Sequence, residues 1–253
     1  MQSQPWSYPI LFLAGAMSGL VDSIAGGGGI ISLPVLLNVG LPVPVALGTN
    51  KLQSSFGSVT AAWHYARAGL LEARACRVGV TATLLGALGG AAAVQQLDAR
   101  VLESVIPWLL AGIVVYSIVR PQAGLQDHPP RLCPTAFFTL CGLALGFYDG
   151  FFGPGTGSFW TIALIAVMGF NFLKATAYTK VMNATSNVAA LALFASAGSV
   201  DYAAGLVMGA GQLVGARLGA RLAMKRGAHF VRPIFLTMVV LVMLRLVYLH
   251  LTR

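Results

Sequence analysis

The stretch VDSIAGGGGIISLP, residues 21–34, stands in a run otherwise built of Leu, Ile, Ala and Val. Glycine loses about 1 kcal/mol against alanine at each helical position, so four in a row break a helix. An acid, Asp22, precedes the four glycines. A breaker and a charge are both costly inside an apolar segment, so the stretch marks a folding device, a site, or both.

The rest of the chain sets the medium. Its 253 residues are 57% hydrophobic and only 9% charged, with a mean hydropathy of +0.79. Water-soluble domains carry about 25% charged residues. Apolar runs recur at 46–66, 78–97, 101–119 and 231–249, each long enough to cross a hydrocarbon core of about 30 Å. The composition predicts an all-α polytopic membrane protein. The start, MQSQPW, lacks the basic region of a signal peptide, which predicts a retained N-terminus. A net charge of +9 fits basic cytoplasmic loops rather than nucleic-acid binding. Cys76, Cys133 and Cys141 are scattered without a CxxC, and the four histidines lack ligand spacing. No metal or other cofactor is expected. Phosphate-loop and GxSxG nucleophile motifs are absent.

An internal duplication organises the chain. GLVDSIAGGGG (19–29) answers to GFYDGFFGPGTG (146–157), placing Asp22 over Asp149. NKLQSSFGSV (50–59) answers to TKVMNATSNV (179–188), placing Lys51 over Lys180. RAGLLEA matches SAGSVDY, and GALGG from Gly86 lies over GARLG from Gly215. The expected organisation is a first repeat at 1–120, a Pro-rich polar linker at 121–134 and a second repeat at 135–253, all in one transmembrane domain. The first apolar segment of each repeat, 8–39 and 135–169, is too long for one upright crossing and too short for two. Broken at its glycines, it becomes two half-helices of a re-entrant hairpin, with three full crossings after it.

Loop charges orient the repeats. The loop with Arg67, Arg74 and Arg77 corresponds to 196–201, which has no base. The next loop of the first repeat has Arg100 against two acids, and its counterpart holds Lys225, Arg226 and Arg232. Opposite bias in corresponding loops predicts repeats inverted across the bilayer, with both termini outside the cytoplasm.

The motifs VDSIAGGGG, ALGTNKLQSSFGS, FYDGFFGPGTGSF, KATAYTKVMNATSN and GQLVGARLGARL resemble the TauE/SafE sulfite-exporter family, or TSUP permeases, in its YfcA-like branch. The resemblance runs over almost the whole chain. It implies a non-enzymatic transporter of small anions in the bacterial inner membrane, with sulfite and organosulfonates such as sulfoacetate as the family's substrates.

Unwound backbone at membrane depth must be buried in protein or line a wet cavity. Helices restarting at Ile30 and Ser158 would aim free N–H groups at the midplane, which suits an anion. Gly26, Gly27, Gly28 and Gly29, with Gly153, Gly155, Thr156, Gly157 and Ser158, are therefore candidate substrate-binding residues. Gly86 and Gly90, and Gly211, Gly215 and Gly219, instead have the spacing of close helix crossings and are assigned to packing. Lys51 and Lys180 stand well inside apolar helices, where an ammonium is either functional or snorkelling to the interface. Asn50, Gln53, Ser54, Asn183 and Asn187 lie within two helical turns of them and could replace an oxyanion's hydration shell. Asp22 and Asp149 fit proton coupling, pairing with the lysines, or capping of the breaks. Arg217, Arg221 and Lys225 form a stripe that suits interfacial anchoring or an electropositive vestibule.

Two other functions compete. An intramembrane aspartyl protease would use Asp22 and Asp149 as a dyad, but the chain lacks the GxGD motif of such enzymes. A cation transporter would use the acids as ligands, against which the lysines argue. The expected partners are a small oxyanion and membrane lipid, with a homo-oligomer left open.

Overall fold

The computed structural model describes residues 8–94, 124–153 and 155–251, and every regular element among them is an α-helix. They are α1 (Tyr8–Ala25), α2 (Gly29–Asn38), α3 (Val43–Arg67), α4 (Ala73–Val94), α5 (Pro134–Phe151), α6 (Thr156–Met168), α7 (Phe172–Ser196) and α8 (Tyr202–Leu251). The predicted crossing at 101–119 lies outside the described residues.

Local chemistry sets the boundaries. α1 stops where Gly26 and Gly27 adopt φ of 75° and 101°, a region glycine enters without a Cβ penalty. α5 stops before Gly153 and Gly155, at φ of 93° and 88°. Prolines open α3 and α5 in the first turn, where no N–H bond is lost. Asn171 caps α7 by accepting the Lys174 N–H at 2.9 Å. Gly227, at φ 69° and ψ −166°, puts a sharp kink into α8.

The helix order long, short, long, long occurs twice, and the packing is reciprocal. α1 lies against α8, and α5 lies against α4; α3 sits beside α8, and α7 beside α4. Small residues make the first two crossings. Gly15 and Gly19 of α1 touch α8 backbone, and Gly211 and Gly215 of α8 touch α1 backbone. On the other side Gly86 and Gly90 of α4 meet α5 backbone, while Gly146 and Gly150 of α5 meet α4 backbone. A Cβ at these positions would enter the opposing carbonyl groups, so backbone contact replaces side-chain interdigitation.

Two expectations change. The hairpin arms are unequal: α1 and α5 have 18 residues each, whereas α2 has 10 and α6 has 13. At 1.5 Å per residue the first arm spans about 27 Å, close to a full crossing, because the glycines fall late in the apolar segment. Among the described residues two helices, Tyr8–Ala25 and Cys76–Val94, are long and apolar enough to cross a membrane by composition. α3 and α7 have the length, 25 residues each, but a row of buried polar side chains lowers their hydropathy.

Basic groups gather toward one end. Loop 68–72 follows the C-terminus of α3, whereas Ser199 lies against Gly48 near its N-terminus, so these two loops sit at opposite ends of that helix. At the first end Lys174 pairs with Glu72 at 3.3 Å, and the linker is tied down by Asp127, which accepts the Asn171 N–H at 2.6 Å. His64 and Arg67 of α3 stand near Arg217 and Arg221 of α8.

Candidate functional site

The two breaks meet. Gly26 packs on Gly157, backbone to backbone, so that a Cβ on Gly26 would lie 2.8 Å from the Gly157 carbonyl carbon. A side chain at either position would separate the breaks.

Around this junction the duplicated charges pair across the two halves of the chain. Lys51 Nζ lies 2.7 Å from Asp149 Oδ1 and also donates to the Asp149 backbone carbonyl. Lys180 Nζ lies 2.9 Å from Asp22 Oδ2. The lysines are 2% and 0% exposed, which rules out snorkelling: both ammonium groups stay in the interior. Breaking such a buried pair by removing one partner typically costs about 3–5 kcal/mol, because the other charge is stranded.

Each carboxylate has a second partner. Asp149 Oδ2 accepts from the Ser186 hydroxyl, and Asp22 Oδ1 accepts the Gly28 N–H at 3.1 Å. Asp22 thus pairs with a lysine and also braces its break. Ser18 adds to the brace, donating to the Gly28 carbonyl at 2.8 Å. Ser32 donates to Asn50 Oδ1 at 2.6 Å, and Gln53 donates to the same oxygen at 2.8 Å and to Ser54 Oγ at 2.8 Å. In the second break Thr156 donates to the Gly153 carbonyl at 2.6 Å, and Thr161 to the Gly157 carbonyl at 2.8 Å.

A polar cavity of about 30 Å³ opens between the breaks, room for roughly two waters. Its wall includes Asp22, Gly27, Gly29, Asn50, Lys51 and Ser54 from the first half of the chain. The second half contributes Asp149, Gly153, Gly155, Thr156, Gly157, Asn183 and Asn187. Of the remaining sequence-derived candidates, Lys180 lies behind Asp22, Gln53 behind Asn50 and Ser54, and Gly28 against Asp22 and Ser18. Gly26 forms the junction itself, and Ser158 is buried in the first turn of α6. The first turns of α2 and α6 reach the wall through Gly29, Thr156 and Gly157, bringing the positive ends of two helix dipoles to it. Among the described residues, Asn183 Oδ1 and Gln53 Oε1 are buried with no hydrogen-bond partner.

Sequence reasoning missed Ser186, Ser18 and Ser32. One carried a usable signal: Ser18 is one turn before Asp22. The competing functions lose ground here. An aspartyl dyad needs two carboxyls sharing one proton, whereas each carboxyl here is held by a lysine. The same lysines occupy the oxygens that a transported cation would need. Among the described residues no three His, Cys, Asp or Glu side chains converge as metal ligands.

The family model described as "Sulfite exporter TauE/SafE" matches residues 11–246. A relative from Escherichia coli strain K12, described as "Probable membrane transporter protein YfcA", is 38% identical over 239 residues, covering 94% of this chain and 89% of its own. A "Probable membrane transporter protein" of Haemophilus influenzae is 40% identical, with 94% of each chain covered. One from Sinorhizobium, designated ORF9, is 41% identical over 93% of this chain and 90% of its own. No solved structure matches the chain. With most of its length inside the family model and three relatives covered nearly end to end, the chain belongs to the TauE/SafE family of membrane transporters.

Proposed function

We propose that the protein is a multi-pass permease of the bacterial inner membrane that moves small oxyanions, sulfite and organosulfonates, through the junction of the two breaks. The observation that carries this reading is the burial of two ammonium groups beside a polar cavity lined by two helix N-termini. Charges are kept at membrane depth where they serve transport, and this set favours anions.

In this reading residues 1–120 and 135–253 are inverted repeats joined by 121–134, and both termini face the periplasm. The reciprocal packing of α1 on α8 and α5 on α4 supports the repeat, and the one-sided gathering of bases supports the orientation. Substrate lies between Gly26–Gly29 and Gly153–Ser158, takes charge from Lys51 and Lys180, and is hydrogen-bonded by Asn50, Gln53, Ser54, Asn183 and Asn187. Asp22 and Asp149 couple the flux to protons.

Flux into proteoliposomes tests this directly, comparing sulfite, sulfate, thiosulfate and sulfoacetate with and without a proton gradient. Uptake of sulfite or sulfoacetate, accelerated by the gradient, is the expected result. Indifference to all four would remove the anion reading.

A further inference from the structure

We propose that Asp22 and Asp149 are resident stand-ins for the substrate, so that the protein moves each anion with one proton per negative charge and no net charge crosses the membrane. This rests on the anion-permease reading above and specifies its coupling.

Two ammonium groups and two carboxylates face one another at the junction, and they cancel. The four side-chain charges leave only the partial charges of the helix N-termini to attract an anion, and an anion added there would remain largely uncompensated in a low-dielectric interior. Lys51 already gives its ammonium to both the side chain and the backbone carbonyl of Asp149. Substrate can therefore gain that ammonium only by displacing the carboxylate.

Space gives the same answer. The cavity wall carries Lys51 together with both carboxylates, so an oxyanion entering it meets Asp149 at the ammonium it would bind. Gly153 holds the backbone close to the pair, for a Cβ there would lie 2.9 Å from Lys51 Nζ and 3.1 Å from Asp149 Oδ1. The position an oxyanion needs beside the Lys51 ammonium is the one the Asp149 carboxylate holds.

A displaced carboxylate has lost its cation inside the protein, and a proton neutralises it. The proton binds Asp149 Oδ1, the oxygen that Lys51 leaves, while Ser186 keeps Oδ2. One carboxylate becomes a carboxylic acid as one anionic oxygen takes its ammonium, so the charge of the set is unchanged. A monoanion exchanges at Lys51, whose pair lies on the cavity wall. A dianion also draws on Lys180, releasing Asp22 for a second proton.

The surroundings leave this exchange to the named groups. Asp149 is faced by Lys51 from α3 and Ser186 from α7, with Tyr148 beside it on its own helix. Asp22 is faced by Lys180 from α7 and Tyr65 from α3, with Ser18 one turn before it. α4 meets α5 through Ala82, Thr83, Ala87 and glycine backbone, and α8 meets α1 through Met208, Gln212, Ala216 and glycine backbone. Among the described residues, the atoms these glycines meet belong to uncharged groups.

The test counts protons and charge together. Proteoliposomes carrying an internal pH dye and a potassium–valinomycin voltage clamp are given sulfite, sulfate, thiosulfate, sulfoacetate or the monoanion ethanesulfonate at pH 8. For every anion that moves, the proton count should equal its charge at that pH: one for ethanesulfonate, two for sulfoacetate. The rate should change less than twofold between clamped voltages. Asp149→Asn should carry one proton fewer per anion, make flux voltage-dependent, and bind the anion at least tenfold more tightly at pH 8. A proton count independent of anion charge, or voltage-dependent flux in the unmodified protein, would overturn the proposal while leaving the permease reading intact. No flux of any anion by folded protein would overturn the permease reading and this proposal with it. If Asp149→Asn does not fold, the unmodified protein's proton counts and voltage response decide.

Discussion

Glycine does two different jobs in two regions of this protein, the helix crossings and the central junction. At the helix crossings, Gly15, Gly19, Gly86 and Gly90 keep helical backbone and face the carbonyl groups of a neighbouring helix. At the central junction, Gly26, Gly27, Gly153 and Gly155 have positive φ, and the backbone there faces the other break or an ion pair. The first set brings helices together; the second ends helices beside charge. The comparison teaches that glycine in an apolar segment is informative only through its spacing. Periodic glycines pack, and clustered ones accompanied by an acid end helices beside the paired charges.

Substitutions at the two kinds of glycine should therefore separate. Gly155→Val puts a β-branched residue at φ 88°, a conformation that costs about 1–3 kcal/mol when forced. Gly28 has ordinary helical φ, but a Cβ there would lie 2.6 Å from Asp22 Cβ and 2.7 Å from Ser18 Oγ, pushing Asp22 away from Lys180. Each variant should lose at least tenfold in transport, more than it loses in membrane expression, read by flux and immunoblot on the same vesicles. Normal flux in both would dissolve the distinction.

Gly86→Ala should show the reverse order. Its Cβ would press into the Leu143 carbonyl of α5, and overpacking of this kind costs about 1–3 kcal/mol. Thermal unfolding in detergent should shift down and yield should fall, while the protein that remains folded transports at close to the normal rate. The smallest effect is expected away from both regions. Asn171→Ala removes the α7 cap and one of the two hydrogen bonds that tie Asp127 to this corner, costing about 1 kcal/mol with transport unchanged.

The cluster of paired charges was legible because charge and polarity are expensive in lipid. Asp22, Asp149, Lys51 and Lys180 stand out against their apolar helices, and the duplication aligns them in pairs. Which lysine meets which aspartate was not legible. Pairing depends on how the halves face each other, and the structure exchanges partners between them. Ser186 stayed hidden because a serine in a membrane helix more often satisfies itself on the preceding turn, as this one also does through the Met182 carbonyl at 3.1 Å. The break positions were readable to within two residues, since glycine runs are unambiguous. The unequal arms were readable by the same signal, since the glycines fall 18 residues into the first apolar segment.

The most direct test of the account is sulfite and sulfoacetate flux through the Lys51→Ala/Lys180→Ala double variant, reconstituted after confirming that it is monodisperse in detergent. If the two buried ammonium groups are where substrate takes its charge, flux should fall at least 100-fold. Flux equal to that of the unmodified protein would show that the lysines serve the fold alone and that anions pass elsewhere.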